Sequence, residues 1–418
     1  MRLEIGKINI NDLQFGSETK IENEVLYVNK DELLNKISND DRIQSIKLDI
    51  AKPGEEIRII PVKDVIEPRV KVEGKGGIFP GFISKVDTVG SGRTHVLSGA
   101  AVVTTGKVVG FQEGIIDMSG EGAKYTPFSK TNNLVITCEV KDGVNQHEHE
   151  EVLRILGFKA AAYLGEAGKN VKPDELKVYE TLPLLEQVKK YPDLPKVIYV
   201  YMLQSQGLLH DTYVYGVDAK KIIPTFLYPT EVFDGAVVSG NCVSACDKNP
   251  TYVHLNHPVI EDLYDRHGKD INFLGCVITN ENVYLADKER SSSYTAKLVK
   301  FLGADAVIIS EEGFGNPDAD LVMNCNKISD MGIKTVLITD EYAGQDGSSQ
   351  SLADSTAKGD AVVTAGNANE VIVLPKMKII AGGHNGSLRK DGSIEAELQV
   401  ITGSTSEVGF NNLSAKVY

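Results

Sequence analysis

The chain has 418 residues and a formal net charge of −14, with 58 acidic against 44 basic side chains. That balance argues against a general nucleic-acid binder, which needs a basic face to displace counterions from phosphate. The length predicts about two to three domains, and no apolar run approaches the roughly 18 residues that span a bilayer.

Residues 1–145 read as a strand-rich region. β-prone runs at 2–10, 24–28, 45–50 and 57–62 are separated by Asp-Asp, Pro-Gly and Pro-Val turn signals, and the pattern returns at 99–109 and 133–140. Residues 31–38 are a short helix candidate, and the glycine-rich stretches 74–81 and 90–94 read as flexible loops. Residues 146–241 are taken as an α/β segment. Val152, Leu153, Leu156, Ala160, Tyr163 and Leu164 follow the i, i+3, i+4 spacing of an amphipathic helix. The run His147-Glu148-His149-Glu150 has metal-like letters, but acidic residues suit the positive end of a helix, and a solvated helix start is expected. Gly165-Glu-Ala-Gly-Lys169 lacks the spacing of a phosphate loop. A second helix over 184–190 stops before Pro192, and 196–203 reads as a buried strand.

After residue 241 the pattern alternates. Strands are expected at 271–279, 304–310, 334–339, 360–364 and 370–373, with helices at 293–302, 318–331 and 351–357. Such alternation predicts right-handed crossovers and a mostly parallel sheet. The fold class is therefore α/β: a strand-rich N-terminal region and a C-terminal, Rossmann-like α/β domain over 242–418.

Ligands collect beyond the carboxyl ends of parallel strands. Three of the predicted strands end in acidic loops carrying Glu281, Glu311 with Glu312, and Asp340 with Glu341. If these strands are neighbours, the carboxylates form a rim suited to a cationic ligand; otherwise they are solvated loop residues. Gly313, Gly315 and Gly344 follow those carboxylates and permit either a tight pocket wall or a plain turn. His254 and His257 are candidate acid–base groups, because imidazole titrates near neutrality. They lack a cysteine partner at zinc spacing, so no metal site is expected.

The five cysteines are 138, 242, 246, 276 and 325, an odd number with no Cys-x-x-Cys pair. With a charged N-terminus and no apolar leader, they predict reduced thiols in a soluble cytoplasmic protein. Cys276 and Cys325 lie in apolar or helical surroundings and read as core. Cys246 either lines a pocket near Cys242 or is buried.

The step Asn241–Cys242 lies between a Tyr/Val/Thr-rich stretch and a polar segment. By itself the dipeptide reads as an ordinary cysteine beside an asparagine. It also permits self-cleavage: the thiol attacks the Asn241 carbonyl, a thioester forms, and elimination followed by hydrolysis leaves a pyruvoyl group in place of Cys242.

Longer motifs weight the second reading. The opening Met1-Arg-Leu-Glu-Ile-Gly-Lys-Ile with Gln14-Phe15-Gly16, the run Gly240-Asn-Cys-Val-Ser-Ala-Cys-Asp-Lys248 and the run Gly275-Cys-Val-Ile-Thr-Asn-Glu-Asn282 belong together. So do Glu311-Glu-Gly-Phe-Gly-Asn-Pro317 and Asp340-Glu-Tyr-Ala-Gly344. The chain resembles, end to end, the proprotein subunit of component B of the glycine, sarcosine and betaine reductases. The resemblance implies cleavage before Cys242 into pieces of 241 and 177 residues and a pyruvoyl cofactor made from Cys242. It implies a small amine substrate, glycine being favoured over sarcosine and betaine, in an amino-acid-fermenting anaerobe. A quaternary ammonium such as betaine cannot condense with the carbonyl. The sequence contains no selenocysteine, so the resemblance places the selenol on a selenoprotein subunit of component B. Product would pass to a small selenoprotein carrier and an acetyl-phosphate-forming component, within an oligomer. Two other readings stay open: an N-terminal-nucleophile amidohydrolase using Cys242, and an uncleaved α/β binding protein for a cationic amino-acid derivative.

Overall fold

The computed structural model describes residues 1–109, 114–207, 209, 211–240, 249–313, 315–342, 354–383, 389–406, 408–411 and 414–416, without the side chains of Asp340 and of 414–416. Asn241, Cys242 and Cys246 lie outside the described residues.

The chain is α/β, as its sequence pattern predicts, and three sheets carry it. A four-stranded sheet runs in the order Glu175–Glu180, Arg2–Asn9, Gly92–Ser98, Arg69–Glu73. A second sheet runs Gly114–Asp117, Ile57–Ile66, Ala100–Thr105, Asn132–Val140, Ile43–Ala51. The downstream strand Ile379–Ala381 adds to it, parallel to Ile57–Ile59. The third sheet has seven strands: Thr225–Leu227, Asn272–Asn280, Lys196–Leu203, Ala306–Ser310, Lys334–Glu341, Ala361–Asn367 and Ser414–Lys416. Its five central strands are parallel and its two edge strands antiparallel.

The central strand Lys196–Leu203 shows why this sheet sits at the heart of the molecule. Seven of its eight residues are buried, as expected of a parallel strand covered on both faces. Successive side chains point to opposite faces. Ile198, Val200 and Met202 pack in one core with residues of the helices Leu285–Phe301 and Asn316–Ser329. Tyr199, Tyr201 and Leu203 face the other core, shared with the helix Pro258–Arg266 and the first two sheets.

Several elements differ from the sequence expectation. The helix expected from residue 293 begins at Leu285. Its buried face is polar and small, with Ser291, Ser292 and Thr295 beside a Lys288 paired to Asp320, so no apolar period marks the first turns. Of the helix expected over 351–357, residues 354–357 form no helix. The strand Val371–Leu374 leaves the parallel sheet and pairs antiparallel with Ile394–Glu397. The glycine-rich stretch at 90–94 is not a loop throughout: Gly92 opens a strand parallel to Arg2–Asn9. At the start of the helix Gln146–Glu166, His149 and Glu150 are buried rather than solvated. Glu150 holds Arg154 at 2.9 Å, and His149 contacts the Cys138 carbonyl at 3.3 Å. No described helix is long and apolar enough to cross a membrane.

Candidate functional site

The strand Lys196–Leu203 delivers two phenols to one face because Tyr199 and Tyr201 are two residues apart. Both are fully buried, and a buried hydroxyl needs a partner. The partners come from two short helices that follow the undescribed segment 241–248, Thr251–Leu255 and Pro258–Arg266. Tyr201 Oη lies 2.6 Å from His254 Nδ1, and Tyr199 Oη lies 3.0 Å from His257 Nε2.

The two histidines have different environments. His257 Nδ1 accepts from the Ile260 amide at 3.5 Å, so its Nε2 carries the proton toward Tyr199, which also bonds Ser310. Burial, with His254 alongside, pushes His257 well below the ordinary imidazole range, and it is neutral. His254 faces a carboxylate instead: Nε2 lies 3.3 Å from Glu312 Oε1. The imidazole is thus held between the Tyr201 hydroxyl at Nδ1 and the Glu312 carboxylate at Nε2.

Glu312 is the hub. It is 0% exposed and accepts from the Gln204 amide at 2.8 Å, the Thr212 hydroxyl at 2.6 Å and the Asn249 amide at 3.1 Å. Burial alone would raise its pKa, but His254, Thr212 and the Gln204 amide outweigh burial and hold it below the ordinary value. Its own amide donates to Glu281 Oε1 at 2.8 Å. Glu311 accepts from Thr339, and Glu341 is buried.

Four of the five acidic residues singled out by sequence thus sit at the carboxyl ends of the parallel strands. Glu281, Glu311, Glu312 and Glu341 are each no more than 4% exposed, so they are not solvated loop residues. Asp340 lies in the strand Lys334–Glu341, its side chain outside the described residues. The strands bearing Glu311 and Asp340 are neighbours, whereas Glu281 is separated from them by Lys196–Leu203. Sequence reasoning missed that intervening strand as a contributor. Tyr199, Tyr201 and Gln204 were discoverable as polar residues on, or just past, a strand read as buried. Thr212 and Asn249 carried no signal.

Both ends of the undescribed segment enter this site. Upstream, Gly240 presses against Asp211: a Cβ there would lie 1.6 Å from the Asp211 carbonyl oxygen, so glycine is required. Asp211 holds the Gly207 amide at 2.7 Å and faces Lys220 at 2.9 Å; burial, opposed by Lys220, pushes it up to about 7. Downstream, Asn249 is tied to Glu312, and Thr251 is tied through its amide and hydroxyl to buried Asp64 at 2.8 and 2.6 Å. Ser239 donates its amide to the Thr251 hydroxyl at 3.0 Å, which draws the two ends together. Among the described residues, Ser239 Oγ and Asn249 Nδ2 are buried without a hydrogen-bond partner. Two orphaned polar atoms flanking the segment suit a site whose remaining polar partner is a carbonyl. The described residues contain no group of three or more metal-ligating side chains. Cys138, Cys276 and Cys325 are buried, and burial pushes the Cys138 thiol up to about 12 and Cys276 well above the ordinary range.

Residues 1–416 match the family described as glycine/sarcosine/betaine reductase component B subunits. The chain is 70% identical, over the full length of both, to the glycine reductase complex component B subunits alpha and beta of Acetoanaerobium sticklandii. It is 69% identical over the full length of both to the protein of that description from Peptoclostridium acidaminophilum. It is 60% identical, again over the full length of both, to the sarcosine reductase complex component B subunit alpha of Peptoclostridium acidaminophilum. No solved structure matches the chain.

Proposed function

Because the chain belongs to the glycine/sarcosine/betaine reductase component B family, we propose that it is the substrate-activating proprotein of an amino-acid reductase complex, processed at Asn241–Cys242. Glycine is the favoured substrate, since identity is 70% and 69% to glycine reductase relatives against 60% to the sarcosine reductase relative.

The processing chemistry balances with two waters and needs no oxidant or reductant. The Cys242 thiol adds to the Asn241 carbonyl and loses its proton, and the departing Cys242 nitrogen gains one. Loss of the Cα proton then expels the Asn241 thiocarboxylate. The resulting enamine hydrolyses to a ketone with release of ammonia, and the thiocarboxylate hydrolyses to a carboxylate with release of sulfide. His254, oriented by Tyr201 and Glu312, is the proposed proton carrier. Glu312 also holds Asn249, and so sets the distance between that carrier and the downstream flank. His257, neutral and spent on Tyr199, holds the neighbouring strand in place.

A pyruvoyl group at 242 supplies an electrophilic carbonyl toward a substrate amine and draws electrons from its carbon–nitrogen bond. The chain's part is to attract and orient that amine. Glu281, Glu311 and Glu341, at the carboxyl ends of the parallel strands, are assigned the negative potential that favours a cationic nitrogen, and Asp340 is assigned to the same role from the sequence alone. The reducing selenol is assigned to a selenoprotein partner subunit, with a carrier and an acetyl-phosphate-forming component downstream, in the cytoplasm.

The observation that carries this reading is that the downstream flank of the Asn241–Cys242 step is tied to the buried carboxylate–histidine–tyrosine unit through Asn249 and Glu312, and the upstream flank is drawn to it through Ser239 and Thr251. Intact-mass measurement with and without hydroxylamine tests it. The reading expects two pieces split before residue 242, the smaller blocked at its N-terminus and shifted by the carbonyl reagent. A free N-terminal cysteine would instead indicate an amidohydrolase. A single unreactive chain, persisting after addition of the selenoprotein partner, would indicate a binding protein.

A further inference from the structure

Away from the rim of the parallel sheet, a cleft of about 450 Å³ opens between the start of the helix Gln146–Glu166, the loop at Gly81-Phe82 and the hairpin at Tyr215-Gly216. That volume is within the range of small-molecule sites. Two glycines set its walls. Gly81 and Gly216 have φ of +90° and +77°, and a Cβ on Gly81 would sit 2.7 Å from Gly216 Cα. Loop and hairpin therefore meet backbone to backbone, which side chains would forbid.

The floor is an arginine. Arg154 is 6% exposed, and its guanidinium lies 4.9 Å from the ring centroid of Phe82 and 4.5 Å from that of Tyr213. Nε and Nη2 donate to Glu150 at 2.9 and 3.4 Å, and Nη1 carries no hydrogen bond among the described residues. Burial lowers its pKa, opposed by Tyr213, Glu151 and Asp218. Glu148 and Glu151 line the same cleft on the preceding turns. Glu148 spends Oε2 on Asn145, at 2.7 Å to Nδ2, and Glu151 spends Oε2 on Arg42 at 2.7 Å. The Oε1 of each carries no hydrogen bond among the described residues.

The charges select the ligand. A simple anion reaching Arg154 would pass two carboxylates, and a simple cation reaching those carboxylates would meet the guanidinium. A molecule carrying both charges a few bonds apart satisfies all three groups. We propose that this cleft binds the zwitterion of a small α-amino acid, with its carboxylate on Arg154 Nη1 and its ammonium at Glu148 and Glu151. The site is separate from the acidic rim and does not depend on processing.

Titration calorimetry on the full-length chain tests it, with glycine, acetate and methylamine as probes. Glycine is expected to give a saturable binding event that weakens about tenfold or more in Arg154→Lys, which keeps the charge and loses the fork. The double variant Glu148→Gln/Glu151→Gln is expected to weaken it equally and keeps the test alive if Arg154→Lys fails to fold. Acetate and methylamine should each bind about tenfold or more weakly than glycine. Glycine bound at the rim is recognised separately, because it responds to Glu311→Gln and not to these variants. The proposal is overturned if acetate equals glycine, if glycine binding survives the double variant unchanged, or if the only saturable event is the one sensitive to Glu311→Gln.

Discussion

Replacing Glu312 by glutamine removes a charge and almost no volume, so it isolates what the carboxylate does. In the folded chain Glu312 accepts from two backbone amides and one hydroxyl and faces His254, all without solvent. Hydrogen bonds to a charged group contribute about 1.5–3 kcal/mol each. The amide keeps one acceptor oxygen and turns an NH2 toward the remaining donors, so one or two of these bonds are lost. The expected cost is on the order of 2–5 kcal/mol for one or two hydrogen bonds to a charged group, against a total stability of roughly 5–15 kcal/mol. Urea denaturation at neutral pH reads this directly. The pH dependence gives a second, independent signature. The folded pKa lies below the ordinary value of 4.5, so the carboxylate's contribution is fully present above that value and is lost as pH falls through the folded pKa. Glu312→Gln should therefore flatten the acid limb of the stability curve. A change under about 0.5 kcal/mol, with an unaltered acid limb, would refute the assignment of Glu312 as the hub.

Four further outcomes are expected. Tyr201→Phe keeps the ring and deletes the hydroxyl 2.6 Å from His254; processing should slow by roughly 100-fold, and an unchanged rate on a denaturing gel would remove the pair from the scheme. Cys242→Ala should stay a single chain of 45.4 kDa, while Cys242→Ser should cleave more slowly through an ester; cleavage of the alanine variant at the wild-type rate would end the proposal. Gly240→Ala brings a Cβ to 1.6 Å from the Asp211 carbonyl oxygen, and should impair processing while leaving the far-ultraviolet circular dichroism of the chain in place. The 241- and 177-residue products should co-elute in native gel filtration and separate only in denaturant.

How much of this was legible in the sequence depends on where each residue's partners lie. The strand Lys196–Leu203 and the helix Leu184–Lys190 match their expected bounds, because their signals are local: an unbroken β-prone run, and a helix stopped by a nearby proline. The acidic rim was legible for the same reason, since Glu281, Glu311 and Glu341 each follow or end a recognisable strand. The position of Lys196–Leu203 between Asn272–Asn280 and Ala306–Ser310 was not, because strand order is set by packing and not by chain order. The roles of Thr212 and Asn249 depend on a carboxylate 100 and 63 residues away. The start of Leu285–Phe301 was missed because its buried face is held by Lys288–Asp320 and hydroxyls rather than by an apolar stripe.

The strand order also changes what a cut at residue 241 means. The upstream strand Lys196–Leu203 is inserted between two downstream strands, and the downstream strand Ile379–Ala381 extends an upstream sheet. Arg58, bound to Asp117 at 2.6 and 2.7 Å, also reaches the Pro375 carbonyl at 2.9 Å, and Thr126 reaches the Thr402 carbonyl at 2.7 Å. Seven buried side chains in Lys196–Leu203 alone, at about 1.5–3 kcal/mol each, represent on the order of 10–20 kcal/mol of burial. Part of that burial is against Val277, Ile278 and Ile309 of the other product, so separating the two would expose apolar surface. The site has the same divided parentage: Tyr199, Tyr201, Gln204 and Thr212 come from one product, and Asn249, His254, His257 and Glu312 from the other. A cut at Asn241–Cys242 would therefore release the chain at one bond while the sheet keeps the two halves of the site in register, and neither product would hold a complete site without the other.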